Sequence, residues 1–152
     1  MRKIIVSEAV SVDGMLFGRT TYELQAPYIS SLRNNEYGIA DRMNSMPKYV
    51  VSSRPLKAEW NNSTIFKENV VEEIANLKQQ PGQDILIMGS ATLVESLAQA
   101  GLIDEYKIMV YPAIVGSGKR FFKNGNGMTK LKLVESKPLS LGVVLLCYAP
   151  AK

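Results

Sequence analysis

The fold is indicated most clearly by residues 84–92, Asp84-Ile85-Leu86-Ile87-Met88-Gly89-Ser90-Ala91-Thr92. Ile85 to Met88 form a short apolar run, which predicts a buried strand over residues 84–89. A helix is predicted to follow at once, because Leu93, Val94 and Leu97 share one face and Gly101 supplies a C-terminal cap. A strand that passes directly into a helix is typical of an α/β protein.

The same alternation extends outward along the chain. Further strands are predicted at residues 3–10, 15–17, 48–52, 63–66 and 105–111. Helices are predicted from Thr20 or Thr21, over residues 37–45, and from Asn69, where Glu72 stands at the capping-box position. Two antiparallel strands are predicted at residues 131–137 and 142–149. The predicted fold is a single α/β domain of residues 1–152, a three-layer α/β/α arrangement with a mostly parallel sheet and antiparallel C-terminal strands.

The connection between the first two strands is unusually short. Only Ser11-Val12-Asp13-Gly14 separates Val10 from Met15. A crossover between adjacent parallel strands takes roughly a dozen residues or more. Either the two strands form an antiparallel hairpin, or a crossover segment is absent from this sequence.

Composition limits the possible functions. The chain has 46% apolar and 21% charged residues and a net charge of +4, which suits an anionic ligand. Its Lys and Arg are scattered, so no nucleic-acid surface is expected. The apolar runs are too short for a membrane span, and no secretory signal is evident. The single cysteine, Cys147, lies in an apolar run and cannot form an internal disulfide. We therefore expect a cytoplasmic protein. Because histidine is absent, Ser-His and Cys-His catalysis and the usual zinc sites are excluded, and no metal is predicted.

Three predicted strand ends carry small or hydroxyl residues: Gly18-Arg19-Thr20-Thr21, Ser52-Ser53-Arg54 and Gly89-Ser90-Ala91-Thr92. Ligands of open α/β sheets gather at the carboxyl ends of strands, and helix N-termini there favour phosphates. Each segment alone is also compatible with an ordinary turn or cap. Together, two of them with an arginine, they favour a phosphate-bearing cofactor. Residues 116–119 are not a Walker loop, because Ala113 replaces its first glycine and Arg120 its Ser or Thr.

These motifs occur in an order that resembles the dihydrofolate-reductase-like superfamily. They are residues 11–14, 17–23, 48–52, 88–93, 101–106 and 111–122. The branch they resemble is the reductase domain of the bifunctional riboflavin-biosynthesis deaminase/reductase and its small stand-alone bacterial relatives. Members of that family carry an additional loop and helix between the Asp-Gly and Gly-Arg-x-Thr segments. The resemblance therefore favours a missing crossover over a hairpin.

The resemblance implies NADPH as the cofactor and assigns residues to it. The cofactor-binding residues would be Gly18, Arg19, Thr20, Thr21, Ser52, Ser53, Arg54, Gly89, Ser90, Ala91 and Thr92. The residues beside the substrate would be Asp13, Val115, Gly116 and Gly118. Asp13 is also the candidate catalytic residue, as a proton donor whose pKa is raised by burial, although Asp13-Gly14 is equally a plain turn signal.

Three functions remain open from the sequence. The first is an NADPH-dependent reductase acting on a pterin-, pyrimidine- or flavin-precursor-like substrate, by resemblance 5-amino-6-(5-phosphoribosylamino)uracil. The second is a nucleotide-binding or regulatory homodimeric module without turnover, and the third is a dimeric scaffold. The apolar strand at residues 143–147 suggests a homodimer through the sheet edge. We interpret Asp104-Glu105 as structural, Tyr22 and Tyr111 as packing residues, and assign no role to Trp60.

Overall fold

A computed structural model describes residues 4–6, 12–32, 40–89, 91–114, 116–117 and 129–151. The strands in these residues are β1 (Ile4–Val6), β2 (Val12–Gly18), β3 (Lys48–Val51), β4 (Ser63–Phe66), β5 (Asp84–Gly89), β6 (Glu105–Val110), β7 (Leu131–Pro138) and β8 (Val144–Pro150). The α-helices are α1 (Arg19–Ser31), α2 (Ala40–Ser45), α3 (Val70–Gln79) and α4 (Ala91–Gln99). Within the described residues, no helix has the length and apolar character needed to cross a membrane.

All eight strands form one sheet in the order β4-β3-β2-β5-β1-β6-β8-β7. The six strands from β4 to β6 are parallel, whereas β8 is antiparallel to both β6 and β7. The predicted fold class, a mostly parallel sheet with antiparallel C-terminal strands, is confirmed.

Helices cover both faces of this sheet because successive side chains of a strand point to opposite sides. On β2, Leu16 joins a core cluster that contains the apolar residues of α3 and α4. Its neighbours Met15 and Phe17 join a second cluster with Tyr22 of α1 and Met43 of α2. The sheet is therefore the middle of three layers, as predicted.

The short connection between β1 and β2 does not form a hairpin. Both strands pair in parallel with β5, one on each side of it. Val6 lies opposite Ile87, whereas Val12 lies opposite Asp84, at the start of the same strand. The hairpin alternative is therefore wrong. The five residues that join the strands, 7–11, lie outside the described residues.

Three local predictions need correction. Trp60 is 5% exposed and packs against the rings of Phe17 and Tyr22, at centroid distances of 5.6 and 5.9 Å. It is a core residue because the β3–β4 loop folds back onto α1, which its polar neighbours in sequence do not reveal. Tyr22 is buried as expected, but Tyr111 is 62% exposed and is not a packing residue.

The start of α3 also differs from the prediction. The helix begins at Val70 as predicted, but Asn69 has a φ of 52° and its side chain makes no capping hydrogen bond. The left-handed backbone of Asn69 replaces the extended conformation that a side-chain cap requires. The main chain closes the first turn instead, since Glu73 N donates to Asn69 O at 2.9 Å.

The sheet edge also differs from the prediction. The apolar strand β8 lies inside the sheet, between β6 and β7, so it cannot offer an edge to a partner. The edge strand is β7, which carries a bulge between Leu133 and Glu135. Because the two C-terminal strands are adjacent in sequence and both lie near one edge, the sequence alone could not order them.

Candidate functional site

The three predicted phosphate-binding segments lie side by side at one edge of the sheet. Gly18, at the end of β2, is the register partner of Val51, at the end of β3. On the other side of β2, Phe17 is the partner of Gly89, at the end of β5. Residues 18–21 and 52–54, and Gly89, Ala91 and Thr92 of the third segment, therefore lie at the carboxyl ends of three adjacent parallel strands.

This edge is also a topological switch point. From β2 the chain proceeds through α1 to β3, its neighbour on one side. From β5 the chain proceeds through α4 to β6, in the opposite direction along the sheet. Because the two connections diverge on opposite faces, a crevice is expected between the ends of β2 and β5, where open α/β sheets bind their ligands.

A close contact joins the two sides of the crevice. A Cβ placed on Gly89 would lie 2.9 Å from Thr21 Oγ1, and the φ of Gly89 is 136°. No ordinary side chain fits this position, because both the space and the backbone angle exclude it. Gly89 thus brings the end of β5 directly against the first turn of α1.

The electrostatics at the two helix N-termini favour an anion. In the described part of the chain, neither α1 nor α4 has an acidic residue in its first turn. The other two described α-helices do, with Asp41 in α2 and Glu72 and Glu73 in α3. Gly18, the N-cap residue of α1, has no side chain to cap the helix. The first backbone N–H groups of α1 are therefore available to an anion. Carboxylates are thus placed away from the ends where a phosphate would bind.

Arg19, the first residue of α1, connects two parts of the site. Its Nε donates to Glu23 Oε1 at 2.7 Å, and its Nη1 donates to the carbonyl oxygen of Pro55 at 2.9 Å. The side chain of Arg19 is 28% exposed. It therefore links the first turn of α1 to the loop that follows β3.

The loop after β3 is held from its other end by Ser52. This residue is buried, and its Oγ donates to the carbonyl oxygen of Arg54 at 2.9 Å. Its backbone N–H donates to Phe66 O on β4 at 3.1 Å. Ser53 and Arg54, in contrast, are exposed at the sheet edge. Ser52 thus shapes the loop, whereas Ser53 and Arg54 are accessible to a ligand.

Asp13 does not lie with the other predicted site residues. It stands near the start of β2, five residues before Gly18, which corresponds to about 16 Å along a strand. Its Oδ2 accepts a hydrogen bond from Gln83 N at 2.9 Å, just before β5 begins. Asp13 therefore lies at the amino end of β2, at the opposite end of the strand from Gly18.

The remaining predicted residues are only partly described. Gly116 is exposed, with a φ of 84°, and follows the carboxyl end of β6 at the same edge as Gly18. Thr92 lies in the first turn of α4 and is exposed, whereas Ala91 is half-buried. Ser90, Val115 and Gly118 lie outside the described residues.

Two residues of the site were missed by sequence reasoning. Glu23 fixes the position of Arg19, and Pro55 supplies the carbonyl group that Arg19 binds. The spacing of Arg19 and Glu23, four residues apart on one helix, is a recognisable signal for the ion pair. The contact with Pro55 joins residues 36 positions apart, and no local pattern predicts it.

Comparison with known proteins places this geometry in a fold class. A riboflavin biosynthesis protein from Shewanella sp. PV-4 matches with a TM-score of 0.73 and 20% identity, covering 93% of this chain and 75% of that one. RibD of Acinetobacter baumannii matches with a TM-score of 0.63 and 17% identity, over 99% of this chain and 58% of that one. Dihydrofolate reductase from Enterococcus faecalis, complexed with NADP(H), matches with a TM-score of 0.61 and 17% identity, over 93% and 77%. The fold is thus dihydrofolate-reductase-like.

The family follows from the sequence. The family model for the RibD C-terminal domain matches residues 2–145, and the chain belongs to that family. Among its relatives is the uncharacterized protein YyaP of Bacillus subtilis strain 168, which is 33% identical over 140 residues, 90% of this chain and 73% of YyaP. YwjB of the same organism, also uncharacterized, is 31% identical over 135 residues, 89% of this chain and 72% of YwjB. The suspected family is confirmed.

Proposed function

We propose that the chain is an NADPH-dependent reductase whose cofactor lies across the carboxyl ends of β3, β2 and β5. The observation that carries this proposal is the assembly of segments 18–21, 52–54 and 89–92 at one switch point. Membership of the RibD C-terminal domain family and the fold shared with a dihydrofolate reductase complexed with NADP(H) support it.

The residues present fit a dinucleotide with phosphates. The uncapped N–H groups at the start of α1 and the side chain of Arg19 suit the pyrophosphate, and the contact of Gly89 with Thr21 holds the end of β5 beside them. The exposed Ser53 and Arg54 suit the 2′-phosphate, since a guanidinium binds phosphate through two parallel hydrogen bonds. When bound, NADPH supplies the hydride, while this chain binds and orients it.

The substrate would lie beyond the nicotinamide, toward the ends of β1 and β6. By family we propose a pterin-, pyrimidine- or flavin-precursor-like substrate, and 5-amino-6-(5-phosphoribosylamino)uracil as the first to try. Gly116, after the end of β6, is the described residue positioned to border it. We assign no proton-donating role to Asp13, because it lies at the other edge of the sheet.

The cofactor assignment is tested by titrating the protein with NADPH and NADH, in the wild type and in Arg54→Ala. We expect NADPH to bind more tightly than NADH, and the variant to lose about tenfold or more for NADPH alone, since a hydrogen bond to a charged group contributes roughly 1.5–3 kcal/mol. Lys57→Ala, which removes an exposed charge from the same loop, is the matched control. Absence of binding by either nucleotide at millimolar concentration would contradict the proposal.

The second candidate is a homodimeric module that binds the nucleotide without turning it over. The position of Asp13 favours it, because the catalytic side chain predicted from sequence is not beside the cofactor segments. Following NADPH oxidation with the uracil substrate and with dihydrofolate separates the two candidates. Saturable binding of NADPH together with no oxidation above the protein-free rate for either compound would favour the binding module.

A further inference from the structure

The inference concerns Arg19 and rests on the proposed function. In that function the exposed Ser53 and Arg54 recognise the 2′-phosphate, the group that distinguishes NADPH from NADH. Both residues belong to an irregular loop, residues 52–59, between β3 and β4. An irregular loop recognises a phosphate selectively only if its backbone is held in one conformation, because ordering it on binding costs affinity.

Two side chains hold this loop by binding the carbonyl groups of two consecutive residues, Arg54 and Pro55. Ser52 Oγ donates to Arg54 O at 2.9 Å, and Arg19 Nη1 donates to Pro55 O at 2.9 Å. With the carbonyl oxygens of residues 54 and 55 both engaged by protein donors, the peptide planes on either side of Pro55 are fixed. The side chains of Ser53 and Arg54 remain exposed at the sheet edge.

Glu23 orients the guanidinium of Arg19 for this contact. The ion pair between Arg19 Nε and Glu23 Oε1, at 2.7 Å, directs the planar guanidinium so that Nη1 meets the carbonyl of Pro55. Both side chains are partly exposed, so the pair contributes little to stability in itself. Its consequence is geometric, because the donors of a guanidinium are fixed relative to one another.

We propose that Arg19 is a positioning residue for cofactor selectivity: held by Glu23, it fixes the 52–59 loop through Pro55 and so gives the site its preference for a nucleotide bearing a 2′-phosphate. This role is separate from any direct contact of Arg19 with the cofactor. If Arg19 acted only by contacting a phosphate of the cofactor, Glu23 would weaken binding, because its carboxylate would compete with the phosphate for the same guanidinium.

The two roles predict opposite effects of Glu23→Ala. If Arg19 positions the loop, this variant weakens NADPH about tenfold and NADH by less than about threefold, so the preference for NADPH falls. If Arg19 only contacts phosphate, removal of the carboxylate tightens NADPH binding. Glu23→Gln keeps an acceptor for Arg19 Nε but has no charge. It should restore the wild-type preference under our proposal.

Arg19→Lys completes the set, because lysine keeps the charge but cannot bind Glu23 and Pro55 through one rigid group. We expect the same loss of NADPH preference as in Glu23→Ala, and Lys57→Ala as control should leave the ratio of the two affinities unchanged. Equal weakening of NADPH and NADH in Arg19→Lys, or tighter NADPH binding in Glu23→Ala, would overturn the proposal.

Backbone 15N relaxation of the ligand-free protein gives a readout that does not depend on the cofactor. Order parameters of Ser53, Arg54 and Leu56 should be lower in Arg19→Lys and Glu23→Ala than in the wild type, and equal to the wild type in Glu23→Gln. If the wild type binds neither nucleotide, the proposed function fails, and these order parameters alone decide whether Arg19 holds the loop. Unchanged order parameters in both weakened variants would overturn the loop contact as well.

Discussion

At Gly89 the backbone has a φ of 136° and lies against the side chain of Thr21. This single position connects the strand ends to the first turn of α1. The glycine at this point in a strand-to-helix turn could be noted from sequence, but its neighbour could not. Thr21 is 68 positions away, and its contact depends on β2 and β5 being paired.

We predict that Gly89→Ala lowers the free energy of unfolding by about 1–3 kcal/mol and weakens NADPH binding, because the new methyl group meets Thr21 Oγ1 and the backbone is strained. Gly101→Ala is the matched control, since Gly101 has a φ of 71° but no atom within 4 Å of the added Cβ. It should cost about 1 kcal/mol. Urea unfolding measures both. Similar costs for the two variants would show that the contact with Thr21 is not tight.

The burial of Lys48 also depends on tertiary structure. It is fully buried, and its Nζ donates to the carbonyl oxygens of Asn44, Met46 and Asn61 at 2.7–3.0 Å. The same nitrogen lies 4.6 Å from the ring centroid of Trp60. Burial lowers the pKa of Lys48 to about 8 from the ordinary value of 10.5. The sequence presents Lys48 only as the first residue of a strand.

We predict that the free energy of unfolding rises with pH between about 8 and 10.5 through Lys48. In this window the folded protein has released the proton and the unfolded chain retains it, so folding is favoured as pH increases, by at most about 1.4 kcal/mol per pH unit. Urea unfolding of the wild type and of Lys48→Arg, which does not titrate here, measures the effect as a difference. A difference that is flat or falls with pH would contradict the lowered pKa.

At the scale of elements, α3 is tied to the chain segment before β6. Lys78 Nζ donates to Asp104 Oδ2 at 2.7 Å and to Leu102 O at 3.1 Å. Lys78 is buried, whereas Asp104 is partly exposed. The interpretation of Asp104 as structural rather than catalytic agrees with this placement. The amphipathic spacing of α3 predicted the helix, but not that a lysine on it would turn inward toward an acid 26 residues away.

We predict that Asp104→Asn lowers the free energy of unfolding by about 1–2 kcal/mol and leaves NADPH affinity unchanged. The loss follows because a nearly buried ammonium group is left without its charged acceptor, with the effect reduced by the partial exposure of Asp104. Glu68→Gln, at an exposed position, is the control and should stay within about 0.5 kcal/mol. A loss of NADPH affinity in Asp104→Asn without a loss of stability would overturn the structural assignment.

For the whole molecule, the sheet order decides which surface faces outward. The edge strand β7 exposes Leu133 and Val134, by 52% and 64%, with Val134 at its bulge. Lysine and proline residues along β7, at Lys132, Lys137 and Pro138, oppose continuous pairing with another strand. These residues disfavour a dimer formed by main-chain pairing of β7. The homodimer stays a prediction, and we place its contact on the exposed apolar side chains of β7, because β8 is internal.

Light scattering after size-exclusion chromatography tests this prediction. We expect the wild type to be a dimer and Leu133→Lys to shift it toward monomer at the same concentration, because a charge would enter an apolar contact. Leu24→Lys, which alters an exposed leucine on α1, should leave the dimer intact. A monomeric wild type, or equal behaviour of the two variants, would refute a dimer through β7.

The sequence by itself determined the strand and helix alternation, the bounds of most elements, the family and the three segments that we propose bind phosphates. These depend on local periodicity, caps and motifs, which a chain carries along its length. Tertiary structure alone decided that β1 and β2 flank β5, that β8 is internal, that Asp13 lies away from the cofactor segments, and that Trp60 and Lys48 are buried. Each of these depends on which distant segments pair or pack together, and hydrophobic spacing within one segment is the same whichever neighbour it meets.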